Sequence, residues 1–402
     1  MISGKDIVCI ASSDYDSPSW LNVQYLMTGL ARAGNRVLYL DSIGLRKPQW
    51  HHASDLRKIA RRLRRLFTGM HNPLPNLYVM APHALPTKGV GWLQRFNQWM
   101  IIRQIRSTLR NLQMRAPILW IFLPTGHFLV GRLGESQLIY HCVDDYLTNP
   151  GVAADALRKM EEDLVAQADL VIVTAPALFE KFKSRAERLA LVPSGVDLES
   201  YRRPLNPTEP GETTDMPHPR IGFAGNLAEY KVNFVLLEFL IRSRPHWNFV
   251  FIGGLGGGDP STKRPAFLDS PNVRWIGEKA HGELPAYMHS WDAGIIPYQL
   301  SRATDAVFPM KLFEYFAAGL PVVATPLPAL APYKSYCRLT GDEALFAQAL
   351  EDVIRDPKEG VAGRMAVASQ NSWNARLEQI SELIALTKKR QATIVHDGST
   401  QR

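Results

Sequence analysis

Short apolar, β-branched runs alternate with helical patterns from one end of the chain to the other, the mark of βαβ units on a parallel sheet. In the first half the runs predict strands over Asp6–Ile10, Arg36–Leu40, Leu77–Met80, Ile118–Phe122, Gln137–Cys142 and Leu170–Thr174. Helical spacing lies between them, over Leu21–Ala33, Ala153–Gln167 and Pro176–Ser184, the last opening on a proline as first turns often do. From Tyr201 to Pro219 the periodicity stops and five prolines intervene (204, 207, 210, 217 and 219), which reads as an interdomain linker. The alternation then restarts with strands over Arg220–Ala224, Asn248–Ile252, Val273–Ile276, Ala293–Pro297 and Val322–Thr325, and helices over Asn233–Ile241, Leu284–Trp291 and Glu343–Arg355. The pattern predicts an α/β chain of two Rossmann-like, doubly wound domains, 1–200 and 219–371, joined by a linker at 201–218. A helix over 372–390 and a loose tail at 391–402 follow.

The most informative segment runs from Phe308 to Thr325: a short helix stopped by Gly319 and followed at once by a buried strand. Pro309 suits a first helical turn, where its missing N–H costs nothing and the next free N–H groups face an anion. Leu312, Phe313, Phe316 and Ala317 share the face that packs on a sheet, while Lys311 and Glu314 share another. A cation beside a carboxylate suits a nucleotide, whose diphosphate needs positive charge and whose ribose offers two adjacent hydroxyls to one carboxylate. The same spacing also suits an exposed ion pair on an ordinary amphipathic helix.

This segment resembles the nucleotide-sugar-binding signature of glycosyltransferases with the GT-B fold, in particular the bacterial surface-polysaccharide transferases related to sucrose and glycogen synthases. In that group the helix carries two glutamates with seven residues between them, and the second contacts the ribose of the donor. Glu314 matches the second; the first falls at Ala306, with Asp305 beside it, so the pattern is half present. The runs Arg220-Ile221-Gly222-Phe223-Ala224-Gly225-Asn226, Tyr140-His141-Cys142-Val143-Asp144-Asp145-Tyr146 and Val192-Pro193-Ser194-Gly195-Val196-Asp197 resemble blocks that such transferases carry in the same order. The likeness covers most of residues 137–330 and thins toward the N-terminus. It implies a C-terminal helix that crosses back to the first domain. It also implies transfer of a hexosyl group from a nucleoside-diphosphate sugar to a lipid-linked glycan acceptor in surface or exopolysaccharide synthesis.

Charge adds a second theme. Of the 402 residues, 46% are hydrophobic and the net charge is +8, but residues 1–116 hold 17 Lys and Arg against five Asp and no Glu. That stretch is therefore +12 and the remainder −4. Such asymmetry points to a polyanionic surface meeting the first half. Residues 56–67 place Leu56, Ile59, Ala60, Leu63, Leu66 and Phe67 in a stripe flanked by arginines, and residues 92–110 repeat the theme with Trp92, Phe96, Trp99, Ile102 and Ile105. Both read as helices lying on an anionic membrane, with tryptophans at the headgroup level. A solvated face or a nucleic-acid patch is the alternative, and no nucleic-acid motif accompanies the charge. No apolar run is long enough to span a bilayer, and Met1 to Asp6 lacks the features of a signal peptide, so the expected location is cytoplasmic, peripheral at the inner face of the plasma membrane. Cys9, Cys142 and Cys337 are far apart and suggest neither disulfides nor a zinc site.

The chemistry follows from the resemblance and the strand ends. Gly222, Gly225 and Asn226 sit at a strand-to-helix turn where the backbone can approach donor phosphates, so Gly225, Asn226, Pro309, Lys311 and Glu314 are the expected donor-binding residues. The glycine run 253–258 is followed by Asp259-Pro260 rather than a helix, and reads as a loop. Asp14, Asp16, His127 and Asp144 lie just after first-half strands and are the candidates to take the acceptor proton. Asp144 and Asp145 are adjacent, so at most one faces the cleft. No metal site or cofactor is expected; Lys311 and the helix start would compensate the leaving diphosphate. Two alternatives stay open: a nucleotide-sugar 2-epimerase built on the same plan, and a catalytically idle module that docks on membrane or other polyanions.

Overall fold

Eight strands form the first sheet: β1 (Asp6–Ile10), β2 (Arg36–Leu40), β3 (His71–Leu74), β4 (Leu77–Met80), β5 (Ile118–Ile121), β6 (Gln137–Cys142), β7 (Leu170–Val173) and β8 (Leu189–Leu191). A computed structural model describes residues 1–42, 69–83, 91–257, 259 and 261–387. The strand order is β3-β4-β2-β1-β5-β6-β7-β8, parallel throughout except for the β3–β4 pair. The six expected strands stand where the apolar pattern puts them, to within a residue. β3 was not foreseen: His71-Asn72-Pro73-Leu74 reads as polar, and it is accommodated because an edge strand tolerates a proline that donates no hydrogen bond.

The sheet is covered on both faces, which is why its central strands are apolar at nearly every position. Val8 and Ile10 point to one layer, where Ile101, Ile105 and Leu109 of the helix Gly91–Asn111 pack with Leu157 and Leu164 of the helix Ala154–Gln167. Ile7 and Cys9 point to the other, where the helix Asn22–Arg32 meets Leu377, Ile380 and Ile384 of the helix Trp373–Ala385. That C-terminal helix thus crosses back to the first domain. Its approach is close: a Cβ on Gly29 would lie 2.3 Å from Leu377 Cδ1. Gln137 Nε2 also donates to the carbonyls of Ile384 and Thr387, at 3.2 and 2.9 Å.

The second sheet comprises β9 (Arg220–Ala224), β10 (Asn248–Ile252), β11 (Val273–Gly277), β12 (Ala293–Ile296), β13 (Val322–Ala324) and β14 (Arg338–Leu339), all parallel, in the order β11-β10-β9-β12-β13-β14. Gly222 lies within β9, and its expected role at the phosphates is corrected by packing. A Cβ there would fall 1.9 Å from the Trp291 indole, so the glycine makes room for a core tryptophan.

The expected linker is also more ordered than its composition suggests. Residues Glu209 to Met216 strap onto the second domain, with Asp215 bound bidentately by Arg274, Glu212 accepting from Lys279 and Tyr287, and Glu209 paired with Arg220. The hydrogen bonds from Lys279 and Tyr287 hold the Glu212 carboxyl down to about 2. Strand order reverses between β1 and β5 in the first sheet and between β9 and β12 in the second. Such reversals open a crevice beyond the carboxyl ends of the strands. The loops that follow these strands carry the candidate site.

Candidate active site

After β9 the chain turns sharply at Gly225, whose N–H donates to Ile252 O at 2.8 Å, while Leu227 N–H reaches Gly254 O at 2.8 Å. Asn226 is committed to this turn. Its amide donates to Gly257 O at 2.7 Å and accepts from Gly257 N–H at 3.1 Å, which clamps the glycine-rich segment beside β9. Gly253 has φ +141°, and a Cβ on it would meet Gly225 O at 2.0 Å, so a glycine is required there. Among the described residues no helix starts between Gly253 and Pro265, in keeping with the loop expected there.

The same turn delivers a residue that the sequence reading passed over. Lys231 Nζ stands 2.7 Å from Asp144 Oδ2, joining the second domain to the loop after β6. Burial works against the charge on Lys231, yet Asp144 and the nearby phenols outweigh it and hold the ammonium above the usual lysine range. A lysine six residues after Gly225, in a polar turn ahead of the Asn233 helix cap, was the available signal.

Asp144 lies in a bend rather than in extended chain, and both carboxylates reach the second domain, which corrects the expectation that at most one faces the cleft. Asp144 faces the second domain. Asp145 turns into its own, where Lys181 Nζ lies 2.8 Å away, and it keeps a looser approach of 3.8 Å to Arg302 of the second domain. Asp144 Oδ1 is buried and has no hydrogen-bond partner. Tyr146 OH and Asn149 Oδ1, on the same loop, share that condition.

The short helix Lys311–Ala317 begins two residues later than Pro309, whose carbonyl accepts from Leu312 N–H at 3.1 Å and heads the opening turn. Its apolar side packs as expected, with Leu312, Phe313 and Phe316 fully buried. Lys311 and Glu314 do form a pair, at 2.8 Å, but it is not the exposed surface pair of the plainer alternative: Glu314 is 3% exposed. Lys311 lacks the alignment of a hydrogen bond to Glu314 Oε2, which is left without one. Tyr25 of the first domain and Tyr201 lie near this carboxylate, and burial, reinforced by the Glu314 charge, pushes both phenols well up.

A third contact closes the crevice. The His281 ring stacks on Trp20 with centroids 4.1 Å apart, and His281 N–H donates to Pro18 O at 2.8 Å. Ala306, where the resemblance puts the first glutamate, is 3% exposed and packs within the first-domain cluster. A methyl group at the domain contact occupies the place of a carboxylate.

The remaining candidates are dispersed. Asp14 follows β1 in a loop tied down by Gln24 Nε2, which donates to Asp14 O at 3.0 Å, and by Tyr15 N–H, which donates to Asp41 Oδ1 at 2.9 Å. Asp16 is exposed and faces His71 of the edge strand β3 at 3.6 Å. His127 sits in the 3-10 helix Pro124–Leu129 between β5 and β6, half-buried, where burial lowers its pKa and Asp163 of the neighbouring helix partly offsets the effect. Asp144 touches the opposite domain through its ion pair with Lys231.

Residues 218–356 match the family described as glycosyl transferases group 1. The chain is 28% identical over 290 residues to the putative teichuronic acid biosynthesis glycosyltransferase TuaH of Bacillus subtilis (strain 168), covering 67% of this chain and 72% of that one. Among solved structures it is similar to sucrose-phosphate synthase from Thermosynechococcus elongatus, with TM-score 0.69 and 17% identity over 95% of this chain and 98% of that one. It is also similar to Anabaena Alr3699/HepE in complex with UDP and glucose, with TM-score 0.66 and 15% identity over 95% and 100% of the two chains. The chain is a glycosyltransferase of the GT-B fold, and its match to the glycosyl transferases group 1 spans residues 218–356.

Proposed function

We propose that this glycosyltransferase moves a hexosyl group from a nucleoside-diphosphate sugar to a lipid-linked glycan at the inner face of the plasma membrane, in the synthesis of a surface or exopolysaccharide. The observation that carries the donor assignment is Glu314: a carboxylate 3% exposed, with one oxygen lacking a hydrogen bond, beside Lys311 and close to the domain contact. The Lys311 pair compensates the charge but leaves acceptor capacity on a buried carboxylate, and a ribose diol supplies two donors. Structures of Anabaena Alr3699/HepE solved with UDP and with UDP-glucose support the choice of a nucleotide sugar. The teichuronic acid relative supports the polysaccharide context.

In the reaction the bond from the anomeric carbon to the phosphate oxygen breaks and the nucleoside diphosphate leaves with the electron pair. A bond forms from that carbon to the acceptor oxygen. Lys231 and Lys311 offset the charge on the leaving group, so the step needs no metal ion. The acceptor hydroxyl docks at Asp144, whose Oδ1 is unpartnered, and gives its proton there if attack is direct. The helix Lys311–Ala317 has seven residues, so the lysines rather than its N-terminus carry the positive charge.

Membrane contact rests on the helix Gly91–Asn111. Ile101, Ile105 and Leu109 bury into the domain, leaving Trp92, Phe96 and Trp99 exposed by 71%, 43% and 53%, with Arg103 lying over the Trp99 ring at 5.6 Å. Exposed tryptophans interleaved with arginines suit an anionic headgroup layer. Residues 56–67, the other expected membrane helix, lie outside the described residues. No helix among the described residues is long and apolar enough to cross a membrane.

The test is a screen of UDP- and GDP-sugars for free-nucleotide release, with and without lipid extract and with and without EDTA. Release from one donor that survives EDTA and rises with lipid acceptor is the expected result. Indifference to every donor, with no change in thermal stability on adding UDP or GDP, overturns the reading.

A further inference from the structure

Behind Asp144 lies a buried ionic chain that nothing in the reaction described so far uses. Lys181 Nζ lies 2.8 Å from Asp145 Oδ1 and 2.7 Å from Glu161 Oε2, and Tyr140 OH donates to Glu161 Oε1 at 3.0 Å. Asp145 and Glu161 are 3% and 2% exposed. Two carboxylates and one ammonium leave an excess negative charge in a dry interior, and such a group is strongly unfavourable unless a further cation reaches it. Arg302 of the second domain is that cation, 3.8 Å from Asp145 Oδ2.

The chain ends on the loop that presents Asp144. Thr148 N–H and Oγ1 both donate to Asp145 O, at 2.9 and 2.7 Å, and Cys142 Sγ donates to Asp144 O at 3.2 Å. With Asp145 pinned inward by Lys181, the short loop between β6 and the turn at Tyr146 holds Asp144 toward Lys231, 2.7 Å away. We propose that Lys181 is a positioning residue: held between Asp145 and Glu161, it anchors the loop after β6 so that Asp144 is held against Lys231 of the donor domain, while Arg302 of that domain adds positive charge beside Asp145. Lys181 therefore acts through Asp144 and touches no substrate. The proposal rests on the acceptor-side role given to Asp144 above.

The single change Lys181→Met would strand two buried carboxylates and risks the fold. Combining it with Glu161→Gln removes one charge of each sign and leaves Asp145 opposite Arg302. In that double variant, nucleotide release from the donor found in the screen should fall at least about tenfold in kcat, with the UDP dissociation constant within about twofold of wild type. Lys181→Arg should recover part of the loss. A crystal structure of the double variant should show Asp144 withdrawn from Lys231. Unchanged kcat, or Asp144 still seated on Lys231, overturns the proposal; a lowered melting temperature alone, with kcat intact, shows Lys181 to be merely structural and overturns it as well. If the wild-type protein turns over no nucleotide sugar, the functional reading fails, and the position of Asp144 in the variant still decides the role of Lys181.

Discussion

Asp144 and Lys231 meet at 2.7 Å across the two domains, the carboxylate from the loop after β6 and the ammonium from the turn after β9. Both side chains are largely buried, so the pair is neither a screened surface contact nor a packing accident. In the proposed reaction it offers a cation to the donor diphosphate and a carboxylate to the acceptor hydroxyl.

Replacing Lys231 by Met keeps the stem and removes the charge. A charge-assisted contact to phosphate contributes about 1.5–3 kcal/mol, so UDP should bind at least about tenfold more weakly. Isothermal titration calorimetry reads this directly. Equal affinity in the variant would exclude Lys231 from the diphosphate site.

Glu314→Ala deletes the acceptor proposed for the ribose. UDP affinity should again drop by about tenfold or more while the circular dichroism spectrum stays that of the folded chain, and Glu314→Gln should lose less because one carbonyl oxygen remains. Were the alanine variant to bind UDP normally, the signature on this helix would be structural only.

His141 supplies a stability prediction. Its ring is buried beside Phe122 and Trp120, and neither nitrogen has a hydrogen-bond partner. Burial lowers its pKa from 6.5 to about 3. The unfolded chain therefore takes up the proton first as pH falls, so the stabilisation is complete above about pH 6.5 and shrinks progressively down toward pH 3, by about 1.4 kcal/mol per unit. His141→Phe fills a similar volume without the polar atoms. It should raise the melting temperature and lose less of it between pH 7 and pH 5 than wild type; identical pH slopes would refute the assignment.

Liposome flotation tests the helix Gly91–Asn111. Vesicles rich in anionic lipid should retain the protein at low salt and release it as salt rises, and Trp92→Ser with Trp99→Ser should weaken retention at every salt concentration. Equal retention on neutral vesicles would argue against an anionic surface.

Much of this architecture is legible in the chain because each parallel strand is buried on both faces and writes a near-continuous apolar run. β1, β2, β4, β6, β9 and β10 appear with the bounds that the runs predict. β3, β8 and β14 do not announce themselves, since edge strands are short and half-wet. The strap from Glu209 to Met216 looks like a plain linker in the chain because its order comes from ion pairs, two of them to Arg274 and Lys279 far along the sequence.

The sequence by itself determined the two sheets and the glycine-stopped helix that carries Lys311 and Glu314, because these depend on local periodicity and on neighbours in the chain. Tertiary structure alone decided that Glu314 is buried, that Gly222 serves Trp291, that Ala306 packs at the domain contact, and that Lys231 rather than the glycine turn's Asn226 meets the first domain. Those outcomes depend on which distant groups a fold brings within a few ångströms, and no local pattern encodes that distance.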